Sequence, residues 1–247
     1  MRARYDLKPG VRSSHGRILQ LAQAWPRSFR IFEVGTASGY LGKALRACGF
    51  LELVGLEADL EMAREAKPYY ETLHVMDLEH ATSLEELGTF DVMICADVLE
   101  HVRQPLEQLR RLSRLVRQGG HVVLSLPNAV NWTVRLMVLC GRFDYAERGL
   151  LDIGHLRFFT YRTSQRLIED AGLRIRRVYV TPLPFAYVLE DRAPRWLAST
   201  LERLYYALCV GWRTLFAYQF VMVAERPRTE TLGRGHEPPV EDVETGR

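Results

Sequence analysis

Short apolar runs alternate with amphipathic stretches along the first half of the chain, the pattern of strands joined by crossover helices. Runs at 29–34 (FRIFEV), 51–57 (LELVGLE), 71–77 (ETLHVMD), 90–96 (FDVMICA) and 120–127 (GHVVLSLP) predict five strands. A leading helix is expected from about Ser14 to Trp25, where Pro26 ends it. The clearest helix spans Pro105 to Arg117. There Leu106, Leu109, Leu112, Leu115 and Val116 recur at helical spacing, and Gly119-Gly120 stops the run before the next strand.

After Pro127 the texture changes. The stretch NAVNWTVRLMVLC predicts a helix and GRFDYAERGLLDIGHLRFFT a long ordered loop, so that about 128–162 forms a covering segment. Thr163 is expected to cap a helix running to Ala171, with Gly172 as its stop. LRIRRVYVT and FAYQFVMVAE predict two further strands, separated by a helical insertion within about 183–215. From Arg226 the chain is polar and aperiodic. One domain over 1–225 and a disordered tail over 226–247 are the expectation.

Composition narrows the class without choosing a function. At 247 residues, 47% hydrophobic and 26% charged, the chain can bury one core as an ordinary soluble protein. A formal net charge of +3 is too small to argue for nucleic acid. The four cysteines lie far apart with no C-x-x-C pair, which reads as reduced thiols in a cytoplasmic protein. No apolar segment resembling a secretory signal opens the chain. The apolar stretch from Trp196 to Val223 is interrupted by Glu202, Arg203 and Arg213, so no membrane span is expected.

The stretch IFEVGTASGYLG at 31–42 joins the first strand to a helix. A dinucleotide loop needs G-x-G-x-x-G so that backbone can approach a pyrophosphate. Counted from Gly35, the second and third glycine positions hold Ala37 and Tyr40, so that template fails twice. No Gly-Lys-Ser/Thr follows, so the P-loop template fails as well. What fits is acid-x-Gly-x-(Gly/Ala)-x-Gly, with Glu33, Gly35, Ala37 and Gly39.

This loop resembles motif I of class I S-adenosylmethionine (SAM)-dependent methyltransferases. A ligand carrying an ammonium and a sulfonium tolerates the carboxylate of Glu33, where a pyrophosphate would be repelled. The resemblance implies a Rossmann-like α/β fold with a seven-stranded sheet in the order 3-2-1-4-5-7-6, flanked by helices. Its last strand is antiparallel, with a helical insertion before it. It also implies that Gly35, Ala37 and Gly39 admit the methionine part, that Glu57 accepts from the ribose diol, and that Asp77 and the Leu78 backbone meet the adenine. Ala96 and Asp97 stand at the C-terminal end of the fourth strand, the ligand side of an open α/β sheet. The likeness extends over roughly 14–225. The block DVLEHVRQPLEQLRRLSRLVRQGGHVVLSLPN resembles the ubiquinone-biosynthesis-type O-methyltransferases. GRFDYAERGLLDIGHLRFFT resembles a branch associated with surface glycans and secondary metabolites.

That family implies methyl transfer from SAM, with oxygen of a small molecule, sugar or lipid-linked compound as acceptor. A hydroxyl is a poor nucleophile at neutral pH, so a histidine base is sought. His155, with Asp152 as an orienting carboxylate, is the first candidate and His101 the second. The alternative for Asp152, His155 and Arg157 is that they only knit a long loop together. Arg157, Trp132 and Tyr145 are the candidate acceptor contacts, although most aromatics here also suit plain packing. The histidines show no ligand spacing, and no metal is expected, with convergence of Glu100-His101 and Asp152-His155 on one as the open alternative. An N- or C-methyltransferase and an inactive SAM-binding partner protein stay open; no nucleic-acid partner is expected. The insertion suits packing on the sheet, a homodimer, or peripheral membrane contact.

Overall fold

A computed structural model describes residues 10–81, 84–185 and 195–228. Among these, the strands are β1 (Ile31–Val34), β2 (Leu53–Glu57), β3 (Thr72–Val75), β4 (Phe90–Ala96), β5 (Val116–Pro127), β6 (Arg174–Thr181) and β7 (Gln219–Glu225). They form one sheet in the order β3-β2-β1-β4-β5-β7-β6. Neighbours from β3 to β5 pair in parallel, while β7 runs antiparallel between β5 and β6. The expected topology is the observed one.

Period-two alternation along the buried strands supplies a core on each face of the sheet. On β4, Met93 and Cys95 join Phe32, Val34 and Leu56 in one cluster. Val92 and Ile94 join Ile31, Leu53 and Val123 in the other. Helices α1 (Ser14–Ala22), α2 (Tyr40–Ala47) and α3 (Leu60–Ala66) precede α4 (Pro105–Ser113) and α5 (Trp132–Leu139). They are followed by α6 (Tyr161–Asp170), α7 (Arg195–Gly211) and α8 (Arg213–Phe216). No helix among the described residues is long and apolar enough to cross a membrane.

Three boundaries differ from the sequence reading. Helix α1 ends at Ala22, short of Trp25. Helix α4 ends at Ser113, because Val116 pairs with Phe90 and starts β5. Leu115 and Val116 fit helical spacing and strand spacing equally, and pairing with β4 decides. Gly119, with φ of 77°, is then an irregular point inside β5 and not a helix stop. The cap of α6 is Thr160. Its hydroxyl accepts from the Thr163 amide at 3.2 Å, while the Thr163 hydroxyl accepts from the Thr160 amide at 2.8 Å, a reciprocal capping box.

Helix α7 packs on the sheet through buried Tyr205 and Cys209. Its Tyr206 hydroxyl takes a hydrogen bond from Arg17 of α1. Arg226, expected to open the tail, exchanges backbone hydrogen bonds with Gly119 and Gly120 of β5 at 2.8 and 3.0 Å. The tail expected beyond it falls, from residue 229 on, outside the described residues.

Candidate active site

The loop after β1 turns back on itself immediately. Gly35 has φ of 72°, and a side chain there would meet Val98 at 2.5 Å. Ala37 follows with φ of 46°, the left-handed region that a Cβ disfavours by roughly 1–2 kcal/mol. Its amide hydrogen explains why it stays there, since it donates to Glu57 Oε2 at 2.7 Å. The other Glu57 oxygen accepts from the amides of Ala58 and Asp59, both at 2.9 Å. Burial raises the Glu57 pKa, and these backbone donors pull it back. One carboxylate at the end of β2 thereby fixes the loop after β1.

Glu33 lies under this loop and not on its open side. It is 3% exposed and accepts from the Tyr70 hydroxyl at 2.8 Å. Burial pushes its pKa up to about 8, with the Tyr70 hydrogen bond opposing and the Glu57 charge adding. The Tyr70 ring occupies the space that Gly42 leaves: a Cβ at position 42 would fall 2.3 Å from Tyr70 Cζ. The acid, the tyrosine and the third glycine of the opening stretch are thus one packed unit.

A cavity of about 670 Å³ opens over the C-terminal ends of the strands. Gly35, Ala37, Glu57, Asp77, Leu78 and Ala96 line it. Glu33 and Gly39 do not. Asp77 is half exposed and accepts from the Glu79 amide at 2.9 Å, which holds its pKa low together with His80. This side fits a cationic nucleoside donor: acids stand at the ends of β2 and β3, and the turn after β1 brings only Gly35 and Ala37 to the wall, which leaves the space open.

The opposite wall is built by the loop after α5, which is laced to the turn following β4. The amides of Leu156 and Arg157 both donate to the Glu100 carbonyl, at 2.8 and 3.0 Å. His101 Nδ1 meets the Gly154 carbonyl at 2.9 Å, and His155 Nδ1 meets the Leu150 carbonyl at 3.3 Å. The result sets His101 and His155 edge to face with ring centroids 4.9 Å apart. Glu100, only 1% exposed, presents Oε1 4.0 Å from His155 Nε2. Burial lowers the His155 pKa, the His101 charge adds to this, and Asp152 opposes it. All three side chains line the cavity.

The remaining expected residues divide. Asp152 lines the cavity, but its carboxylate accepts from the Gly154 amide at 2.7 Å and closes its own turn. Arg157 donates from Nε to the Arg103 carbonyl at 2.9 Å and is absent from the cavity wall. Trp132 and Tyr145 are absent from it too: Trp132 donates to the Tyr205 hydroxyl at 2.8 Å, and Tyr145 packs edge-on to Phe143 at the surface.

Tyr218, Gln219 and Arg148, which sequence reading left without a role, also line the cavity, as does Asp97, expected at the ligand side of the fourth strand. Asp97 stands at φ of 55° and accepts from Ser125 Oγ at 2.5 Å and Gln219 Nε2 at 2.8 Å. Non-glycine residues held in the left-handed region cluster at functional turns, and Asp97 occupies such a position at the end of β4. The stretch CADVLEH carried that signal only weakly, and Gln219 joins through β7 pairing that no local motif announces.

Comparison with known proteins agrees with this geometry. A model of the methyltransferase domain matches residues 11–178. The ubiquinone biosynthesis O-methyltransferase of Ralstonia nicotianae is 30% identical over 187 residues, covering 69% of this chain and 75% of that one. That of Aromatoleum aromaticum is 28% identical over 152 residues, covering 58% of this chain and only 63% of the relative's length. Among solved structures, magnesium protoporphyrin IX methyltransferase from Synechocystis PCC 6803, with bound SAH, superposes with a TM-score of 0.55 at 18% identity. That likeness covers 86% of this chain and 84% of that one. A SAM-dependent methyltransferase from Mesorhizobium loti gives 0.56 at 16% identity, over 87% and 98% of the two chains. The chain belongs to the class I SAM-dependent methyltransferases. Its methyl donor is S-adenosylmethionine.

Proposed function

We propose that the protein methylates a hydroxyl oxygen on a small molecule or glycan. One observation carries this reading. A single cavity joins the donor-side residues Gly35, Glu57 and Asp77 to a cluster of Glu100, His101 and His155. The bound donor supplies a sulfonium methyl whose C–S bond breaks toward sulfur as the acceptor oxygen bonds to carbon.

Glu57 and Asp77 would hold the ribose and adenine, and the turn at Gly35 and Ala37 the methionine part. The His155 face of the cluster would receive the hydroxyl. An imidazole kept neutral by burial can take the proton that the oxygen loses. The resemblance to named O-methyltransferases supports oxygen over nitrogen. Tyr218 and Gln219 close the acceptor end beside Asp97, where an acceptor ring would lie. The four cysteines are all unbridged, which fits a reducing cytoplasm.

Calorimetry with SAM and its demethylated product, followed by labelled methyl transfer to phenols, alcohols, sugars and amines, tests the proposal. The expected result is donor binding with transfer to a hydroxyl. Replacing His155 by Ala should lower turnover on the order of 10²-fold or more while donor affinity changes little. Transfer confined to amines, or a His155→Ala enzyme within a few-fold of wild type, rejects the corresponding part.

A further inference from the structure

The spacing of histidines along the chain shows no ligand pattern, yet the fold assembles one. We propose that Glu100, His101 and His155 form a binding site for a single divalent cation of the zinc class, open to the acceptor end of the cavity. Its use in activating a hydroxyl rests on the function proposed above; its existence does not.

The three side chains each offer one ligand atom, and these atoms lie within 4.8 Å of one another. Metal–ligand bonds near 2.1 Å place ligand atoms roughly 3–3.5 Å apart, so small side-chain rotations would close the set. Two imidazoles and one carboxylate, with further positions open to solvent or substrate, is the donor set of catalytic zinc and of other first-row divalent ions.

A second observation concerns tautomers. Both Nδ1 atoms face backbone carbonyls, His101 at Gly154 and His155 at Leu150. A carbonyl only accepts, so each Nδ1 carries the hydrogen and donates it. That leaves the Nε2 lone pair of each ring available, and second-shell carbonyls orient metal-binding histidines in this way. Glu100 is 1% exposed and presents Oε1 4.0 Å from His155 Nε2, so the acid and the imidazole already face each other.

His155 is 54 residues beyond His101, on the loop rather than on the turn after β4. A cation here would therefore join the two walls of the acceptor end. With both Nε2 lone pairs engaged, activation passes to the cation, which lowers the pKa of a hydroxyl bound to it so that the proton leaves to solvent.

The test uses the full chain without an affinity tag, stripped with a chelator and dialysed. Zn²⁺ is titrated by calorimetry and Mn²⁺ by electron paramagnetic resonance, with the demethylated donor titrated in parallel. The expected result is one Zn²⁺ per chain, competed by Mn²⁺. Glu100→Gln and His155→Ala should each weaken it at least tenfold while keeping the circular dichroism and the affinity for the demethylated donor. His74→Ala, on β3 and outside the cavity wall, should leave it unchanged.

No stoichiometric binding by protein that binds the demethylated donor overturns the site. Unaltered binding in both folded cluster variants overturns it equally. If a folded sample binds Zn²⁺ through this cluster but not the demethylated donor, the cation site stands and the methyltransfer reading falls.

Discussion

The two halves of the cavity are built by different means. On the donor side, each functional group sits at the end of its own strand or in the short turn after it, and its position follows from local sequence. Glu57 ends β2 and Asp77 follows β3. On the acceptor side the wall is assembled across the chain: Glu100 with His155, Asp97 with Gln219. The first kind of site tolerates change elsewhere in the fold. The second depends on loop packing that no single stretch encodes.

If the donor side is a locally braced unit, disturbing its buried acid should show first in stability. Glu33 is protonated in the folded chain up to about pH 8, against an ordinary value of 4.5. The folded state therefore keeps a proton that the unfolded chain releases. Its contribution is full below pH 4.5 and is lost as pH rises toward 8. Denaturant melts across this range should lose up to several kcal/mol, with slopes approaching about 1.4 kcal/mol per pH unit. Glu33→Gln should flatten that slope; an unchanged profile would show that the buried acid does not titrate in this way.

Removing the Glu57 carboxylate strips three backbone amides of their acceptor. Glu57→Ala should cost roughly 3 kcal/mol of stability and about 100-fold in donor affinity. Calorimetry at fixed pH reads both, and a loss in stability alone would separate bracing from binding. Gly42→Ala comes next. In most helices this change gains up to about 1 kcal/mol. Here the new methyl collides with Tyr70, and a loss of about 1–3 kcal/mol is expected from thermal unfolding.

The smallest effects belong to Trp132 and Tyr145. Tyr145→Ala and Trp132→Phe should change the KM for a hydroxyl acceptor by less than about threefold, since neither side chain reaches the cavity. A tenfold rise for either would mean that the acceptor extends onto the outer face of the loop.

The same contrast explains what could be read from the chain alone. The strands and the glycine turn were legible because periodicity and spacing are local properties, while the strand order and the places of Glu57 and Asp77 came from the resemblance that the turn carries. The end of α4 was not, because Leu115 and Val116 satisfy both a helix and a strand until β4 is beside them. Glu33 was legible as an acid of the motif but not as one turned inward, since its orientation depends on Tyr70, 37 residues away. Arg157 looked like an acceptor contact until the Arg103 carbonyl was seen to hold it. The convergence of Glu100, His101 and His155 needed the loop to fold back; the sequence offered the pairs Glu100-His101 and Asp152-His155 but not which of the four would meet.

The Glu100 carbonyl receives two amides of the loop while its side chain faces the cavity. One residue thus anchors the loop that walls the acceptor end and also belongs to the cluster proposed to bind a cation there. Descendants of this chain that exchange the loop for a new substrate would shift that carboxylate in the same event. Changes of preference in this lineage should therefore come with altered rates, and swapped loops will need adjustment at positions 100 and 101 before they work well.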